Sequence, residues 1–129
     1  MARYLVDTCA VIWWLADAPE LSRAARRIVS NPRNSILVSV ASLWEIAIKT
    51  RQRRLAGTEE YLARYQDLHD QWGFSTVLIE GADAVAAGSL AIPHSDPFDR
   101  MLIVQARRLE ASILTCDEGI RQHADRAVW

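Results

Sequence analysis

Cysteine and long apolar runs are scarce in this sequence, and each scarcity excludes a class of protein. The two cysteines, Cys9 and Cys116, are too few for a disulfide-stapled secreted scaffold. We interpret both as small buried apolar residues without a disulfide. No apolar run is long enough to span a bilayer, and no charged-then-apolar leader opens the chain. We therefore expect a soluble cytoplasmic protein that does not enter the membrane.

Lysine and an excess of positive charge are also lacking. The 129 residues carry a formal net charge of −1, which excludes an overall basic field directed at nucleic acid. Lys49 is the only lysine, so arginine supplies nearly all the positive charge. The planar arginine fork suits phosphate, although a biased genome would give the same count. The composition is ordinary for a globular protein, and the length predicts one domain over residues 1–129.

Strand and helix patterns alternate along the chain. Strands are predicted at residues 3–6, 36–39, 75–79 and 111–115, with an edge strand at 127–129. Helices are predicted at residues 9–15, 21–31, 40–54, 58–72, 82–90, 97–109 and 118–124. In the helix over 40–54, the side chains expected to face the core are those of Leu43, Ile46, Ala47 and Thr50. The alternation indicates an α/β fold, a three-layer α/β/α sandwich around a central parallel sheet of four to five strands.

The helix over 97–109 opens with two carboxylates that need separate explanations. Asp96 precedes Pro97, which suits the first turn of a helix, so Asp96 stands where an N-cap belongs. Asp99 shares a helix face with the apolar residues Leu102 and Ile103. A carboxylate on a face that packs against the core is costly unless something compensates its charge. Asp99 is therefore a candidate functional residue.

Three further acids are predicted to lie near the same edge of the sheet. Asp7 ends the first strand, Asp117 ends the fourth, and Glu45 is in the helix that leaves the second strand. Ligands of parallel sheets bind beyond the carboxyl ends of the strands. Four converging carboxylates favour a divalent cation, and all-oxygen ligation favours Mg²⁺ or Mn²⁺ over zinc. One or two such ions can activate water for cleavage of a phosphodiester.

Each of these acids also has a purely structural interpretation. Asp7 could end its strand in an Asx turn, and Asp117 could favour the positive end of a helix. Glu45 with Ser42 matches the S-x-x-E capping box. We interpret His94, which precedes a loop, as structural. The joint placement of the acids, rather than any single one, indicates a site.

A basic stretch follows Glu45. It consists of Lys49, Arg51, Arg53 and Arg54, and it is either a track for RNA phosphates or a solvated helix end. Setting aside the four acids leaves a net charge of +3, which is consistent with the first interpretation. The aromatic residues at helical spacing are mostly core or a partner surface; they are Trp13, Trp14, Tyr61, Tyr65 and Trp72.

Four motifs together resemble one family over essentially the whole chain. They are Asp7-Thr8 before a Trp-Trp-Leu helix, Ser-Leu-Trp-Glu-Ile at 42–46, His-Ser-Asp-Pro-Phe-Asp-Arg-Met-Leu-Ile at 94–103 and Leu-Thr-Cys-Asp-Glu at 114–118. This pattern resembles the PIN-domain ribonucleases, and most of all the VapC toxins of bacterial VapBC toxin–antitoxin pairs. The order of the four acids and the Asp-Pro-Phe-Asp-Arg string are the specific part of the match.

The resemblance implies a function and a set of site residues. It implies a Mg²⁺- or Mn²⁺-dependent endoribonuclease that forms a homodimer and is held inactive by a cognate VapB-type antitoxin. By position, the catalytic metal ligands are Asp7, Glu45, Asp99 and Asp117. Thr115 resembles a hydroxyl residue that supports the last acid, and Asp96 resembles an auxiliary acid.

Three other functions are alternatives to this one. A metal-dependent nuclease that cuts DNA or a particular nucleic-acid structure remains open, because contacts to a ribose 2′-OH cannot be read from the sequence. A phospho-receiver domain is set aside, because Asp7 is followed by Thr8 and no late lysine is present. A non-catalytic PIN-like binding module is disfavoured, because nothing structural requires four converging acids.

Overall fold

The computed structural model describes residues 2–129 and contains a parallel sheet of five strands. The strands are β1 (Arg3–Val6), β2 (Ser35–Ser39), β3 (Phe74–Val77), β4 (Ser112–Leu114) and β5 (Ala127–Val128). Their order across the sheet is β3-β2-β1-β4-β5, and every neighbouring pair is parallel. The predicted parallel sheet is confirmed.

Helices cover both faces of this sheet. They are α1 (Thr8–Leu15), α2 (Arg23–Ser30), α3 (Val40–Arg51), α4 (Glu59–Trp72), α5 (Gly81–Ser89), α6 (Pro97–Leu109) and α7 (Glu118–His123). Successive strand residues point to opposite faces, so Leu5 and Val6 of β1 enter two different apolar cores. Val6 packs with α1, α2 and α4, and Leu5 packs with α6 and α7. The three-layer α/β/α sandwich is therefore confirmed. None of the helices described over residues 2–129 is long and apolar enough to cross a membrane.

The strand order places a crevice beside the carboxyl end of β1. From β1 the chain moves to β2 and β3 on one side, and it later returns to β4 and β5 on the other. β1 pairs with β4 in a register that places Val6 opposite Leu114, so both strands end at the same level. Ligands of open parallel sheets bind at such a switch point. The residues that follow β1 and β4 are Asp7 and the segment 115–117.

Helix α3 differs from the sequence prediction in three respects. It begins with Ser39 as its N-cap, whose hydroxyl accepts a hydrogen bond from the Ala41 N–H, so the alternative interpretation of Ser42 and Glu45 as a capping box is wrong. Ser42 is instead buried inside the helix. The helix ends at Arg51 rather than at residue 54, and Ala47, predicted to face inward, is exposed.

The two cysteines also differ from expectation. Cys9 and Cys116 are both exposed free thiols, so their prediction as buried apolar residues is wrong. Both lie beside Asp7, because each follows an element that ends at the crevice. Burial of part of the Cys9 side chain raises the pKa of this thiol to about 11, and the charge of Asp7 adds to the shift. The thiol form therefore predominates at neutral pH.

Candidate active site

Asp7 is the most buried carboxylate of the crevice. It follows β1 directly and acts as the N-cap of α1, and its Oδ1 accepts a hydrogen bond of 2.7 Å from the Ala10 N–H. Its Oδ2 accepts a hydrogen bond from the Thr115 hydroxyl. Only 4% of the residue is exposed. The helix start explains one oxygen of Asp7, but a cap does not need to be buried with other acids around it.

Thr115 connects Asp7 to Asp117. Its hydroxyl donates to Asp7 and accepts a hydrogen bond of 3.0 Å from the Asp117 N–H. Thr115 directly follows β4 and is fully buried, so its hydroxyl is not in contact with solvent. Asp117 itself caps α7, because its Oδ1 accepts from the Ile120 N–H at 3.0 Å. The Thr115 hydroxyl thus fixes the Asp7 carboxylate and the backbone of Asp117 together at the end of β4.

Asp99 is held at the start of α6 by two neighbours. Asp96 is the N-cap of this helix, as predicted, and its Oδ1 accepts from the N–H groups of Phe98 and Asp99. The Asp99 carboxylate is hydrogen bonded through Oδ2 to Nε2 of His94, at 2.7 Å. Leu102, one turn further along the same face, is buried in the core, as predicted. Asp99 is therefore rigidly mounted at the edge of the apolar core.

Three donor groups converge at the mouth of the crevice. One ring nitrogen of His94, one carboxylate oxygen of Asp99 and one of Asp117 all lie within 4.8 Å of one another. The charges of Asp99 and Asp117 also reach Asp7, because both raise the pKa of its carboxyl group. The structure therefore brings three of the four predicted acids into one electrostatic cluster and adds a histidine to it.

Glu45 lies nearby, but its charge is already paired. Its Oε2 forms an ion pair of 2.9 Å with Nζ of Lys49, one turn further along α3. Thr8 links this helix to the end of β1, since its hydroxyl donates to the Ser42 hydroxyl at 3.1 Å. Glu45 borders the cluster and lies outside the three-donor group described above.

The carboxylates of the cluster pay an electrostatic cost for their burial. Desolvation raises the pKa of Asp7 to about 6, against the hydrogen bonds from Thr115 and Ala10, which lower it. Desolvation likewise raises the pKa of Asp99, against the hydrogen bond from His94. Asp96 and Asp117 raise the pKa of Asp99 further through their charges. A bound cation would remove this penalty, because it favours the charged form of each acid.

The basic stretch after Glu45 contributes to a groove at the edge of the cluster. The groove has a volume of about 540 Å³ between α3 and the start of α6, and Lys49 and Arg54 line it. Arg51 and Arg53, which were predicted with them, do not line it. Asp96 forms part of the opposite wall. Lys49 is ion-paired with Glu45, whereas Arg54 is not. Of the four predicted basic residues, Arg54 is therefore the best placed to bind a phosphate near the acids.

The sequence interpretation missed the roles of His94 and Arg100. His94 was interpreted as structural, yet its imidazole contacts Asp99 directly. The signal was its position five residues before Asp99, on the segment that leads into α6. Arg100 donates hydrogen bonds to the carbonyl groups of Ala87, Leu90, Ile92 and His94. It therefore fixes the segment that carries His94 and does not neutralise Asp99.

Fold and site together define a class of protein. This is an α/β sandwich that gathers carboxylates at the switch point of an all-parallel sheet. The family model of the PIN domain matches residues 4–126, and the chain belongs to the PIN domain family.

Individual relatives agree with this assignment. The chain is similar to Ribonuclease VapC22 of Mycobacterium tuberculosis, with 29% identity over 126 residues, which cover 95% of this chain and 93% of the relative. The fold is similar to that of VapBC2 from Rickettsia felis bound to a promoter DNA fragment, with a TM-score of 0.68, 11% identity, and coverage of 98% of this chain and 97% of the other. It is also similar to FitAcB from Neisseria gonorrhoeae, with a TM-score of 0.64, 15% identity, and coverage of 98% and 96%.

Proposed function

We propose that this protein is a Mg²⁺- or Mn²⁺-dependent endoribonuclease that acts as the toxin of a type II toxin–antitoxin pair. The observation that carries the proposal is the convergence of Asp7, Asp99 and Asp117 at the end of the central strands, with raised pKa values for the first two. The similarity to a relative named as a ribonuclease supports RNA as the substrate. Glu45 is the fourth acid of the proposed site.

The residues present fit a hard divalent cation. Carboxylate oxygens are the ligands that such ions prefer, and donor atoms of Asp99 and Asp117 lie within 4.8 Å of each other. The charge of Asp7 is coupled to both of these acids, and Glu45 lines the adjacent groove. When bound, the ion supplies an activated water and stabilises charge on a phosphodiester during in-line displacement.

The protein's own residues position the acids for this chemistry. Thr115 holds the Asp7 carboxylate and the Asp117 backbone in one arrangement, and Asp96 fixes the start of the helix that bears Asp99. Lys49 and Arg54 line the groove that leads to the acids, where they can bind the RNA backbone. Lys49 also orients the Glu45 carboxylate through their ion pair.

A second copy of this chain and an antitoxin are the proposed partners. Trp44 and Ile79 line one apolar groove with Ala84 of α5, and Leu78 and Val85, which neighbour Ile79 and Ala84 in sequence, are exposed as well. Trp44 stacks edge-to-face on Phe98, with ring centroids 5.1 Å apart, so its indole is held rigidly although it is 62% exposed. Exposed apolar patches of this kind mark interaction surfaces, and a second copy would cover this one in a symmetric dimer. A VapB-type antitoxin would keep the dimer inactive in the cytoplasm.

The direct test is cleavage of RNA and DNA of the same sequence by the purified full chain. The RNA should be cut in Mn²⁺ or Mg²⁺ and left intact in EDTA, and cleavage should return when the metal is restored. Preferential cleavage of the DNA would instead establish the alternative, a metal-dependent DNA nuclease. Metal binding without cleavage of either substrate would favour a non-catalytic binding module. Co-expression of the neighbouring small reading frame, if it encodes the antitoxin, should abolish cleavage.

A further inference from the structure

His94 supplies the nitrogen atom of the three-donor group, and the proposed function does not use it. Its Nε2 lies 2.7 Å from Oδ2 of Asp99, and one of its ring nitrogens lies within 4.8 Å of carboxylate oxygens from both Asp99 and Asp117. A histidine that only orients one carboxylate needs to contact that carboxylate alone. The imidazole of His94 contacts Asp99 and also has a ring nitrogen within 4.8 Å of a carboxylate oxygen of Asp117.

Gly119 of α7 lies beside the imidazole and leaves room for it. A Cβ atom at this position would lie 2.8 Å from Cε1 and 3.2 Å from Nδ1 of His94, and 3.1 Å from Oδ1 of Asp117. A Cβ atom essentially never comes within 3.0 Å of another carbon atom, so any larger residue at position 119 would force the imidazole or Asp117 to shift. The backbone φ of Gly119 is not in the left-handed region, so the requirement is for space and not for conformation.

The segment that carries His94 is fixed as well. The Arg100 guanidinium donates to the His94 carbonyl at 3.0 Å and to the Leu90 carbonyl at 2.5 Å. Arg100 of α6 thus fixes the backbone at His94, and the ring lies beside Gly119 of the next helix, α7. Adjacent ligand atoms on an octahedral ion with bonds of about 2.1 Å lie about 3 Å apart, which is close to the spacing of His94 and Asp99.

We infer that His94 is a direct nitrogen ligand of the metal ion, and that it gives the site a preference for first-row transition ions, Mn²⁺ among them, over Mg²⁺. This inference rests on the proposed function because it takes the acidic crevice as the metal site. Mg²⁺ accepts oxygen ligands almost exclusively, whereas imidazole nitrogen stabilises transition ions. Whichever ring nitrogen binds the ion, the other carries the proton of the neutral imidazole.

The test is the electron spin echo envelope modulation spectrum of the full chain loaded with substoichiometric Mn²⁺. Coordinated imidazole nitrogen modulates the echo, so the wild-type protein should show nitrogen coupling. The coupling should disappear in His94→Gln and persist in the control His123→Gln, since His123 is the last residue of α7 and is not part of the three-donor group. A wild-type spectrum without nitrogen coupling, or coupling that persists in His94→Gln, overturns the inference. If His94→Gln does not fold, the wild-type spectrum still tests the inference, because the absence of nitrogen coupling there overturns it.

Gly119→Ala provides a second variant that keeps the histidine but displaces it. Calorimetry should show Mn²⁺ affinity reduced by about 10-fold or more in both Gly119→Ala and His94→Gln, with a change of less than about 3-fold for Mg²⁺. Equal losses for the two metals, or a Gly119→Ala protein with wild-type Mn²⁺ affinity and coupling, contradict the inference. RNA cleavage does not enter either readout. A protein that shows nitrogen coupling but cuts no RNA would refute the proposed function alone.

Discussion

Asp7 combines the deepest burial in the crevice with the clearest electrostatic penalty. Burial raises the pKa of its carboxyl group to about 6, although two hydrogen bonds favour the charged form. In the unfolded chain the same group titrates near 4. Between about pH 4 and pH 6 the folded protein therefore binds a proton that the unfolded chain has lost, so the metal-free fold loses stability as the pH rises.

Replacing Asp7 with asparagine should remove this penalty. In EDTA at pH 7 we expect the free energy of unfolding of Asp7→Asn to exceed that of wild type by about 1 to 3 kcal/mol, and the two to converge near pH 4. Denaturant unfolding at both pH values measures the difference. The control is Asp67→Asn, an exposed acid on α4, which should behave as wild type. A destabilised Asp7→Asn protein at pH 7 would show that burial is not the dominant cost.

Thr115 acts through its hydroxyl, so its two nearest substitutes should differ. Thr115→Val keeps the shape but removes the donor to Asp7 and the acceptor for the Asp117 N–H. We expect metal-dependent RNA cleavage to fall about 10- to 100-fold in Thr115→Val and to stay near wild type in Thr115→Ser. The pKa of Asp7, followed by NMR, should rise in the valine variant alone, because the lost hydrogen bond lowers it. Equal activity in the two variants would exclude a supporting role for the hydroxyl.

The helix α6 shows which parts of the site local sequence rules can predict. Asp96 as N-cap and Pro97 at the first turn follow from rules that concern only neighbouring residues, and the structure confirms both. The inward position of Asp99 follows from helical periodicity. The contact of His94 with Gly119 could not be predicted, because it depends on how α7 packs against the segment before α6. The exposure of Cys9 and Cys116 likewise depends on the crevice remaining open.

Helix α3 leads into the groove that we propose binds the RNA backbone. Arg54 lines this groove and Arg53 does not, so the two neighbours form a matched pair. We expect Arg54→Ala to raise KM for RNA about 3- to 10-fold and to reduce its salt dependence, because a phosphate contact is lost. Arg53→Ala should leave both unchanged. If both variants weaken binding equally, the effect is one of net charge and the groove has no specific role.

The architecture of the whole chain was predictable, but the convergence of its acids needed the strand order. Alternating strand and helix patterns predict a parallel sheet with two covered faces. Asp7 and Asp117 are far apart in sequence and come together only because β1 and β4 are neighbours. Glu45 is placed on the other side of β1, since α3 follows β2. Long-range pairing of this kind is not encoded in any local pattern.

The apolar surface around Trp44 makes a prediction about oligomeric state. We expect the full chain to sediment as a dimer and Trp44→Glu to sediment as a monomer, because the charge would lie in the buried centre of the interface. Trp44→Phe, which keeps an aromatic ring against Phe98, should remain dimeric. Val85, 71% exposed on α5, gives an independent variant in Val85→Lys, with the same expected dissociation. A wild-type monomer, or a dimer that neither charge disrupts, would place the interface elsewhere.

The most direct measurement is the rate of metal-dependent RNA cleavage by Asp99→Asn, compared with wild type and with Asp67→Asn. Asparagine keeps the size of the side chain at the start of α6 but removes its charge. We predict a rate at least about 100-fold below wild type for Asp99→Asn, with an unchanged circular dichroism spectrum, and a wild-type rate for Asp67→Asn. Cleavage by Asp99→Asn at the wild-type rate would show that the acidic crevice is not the active site.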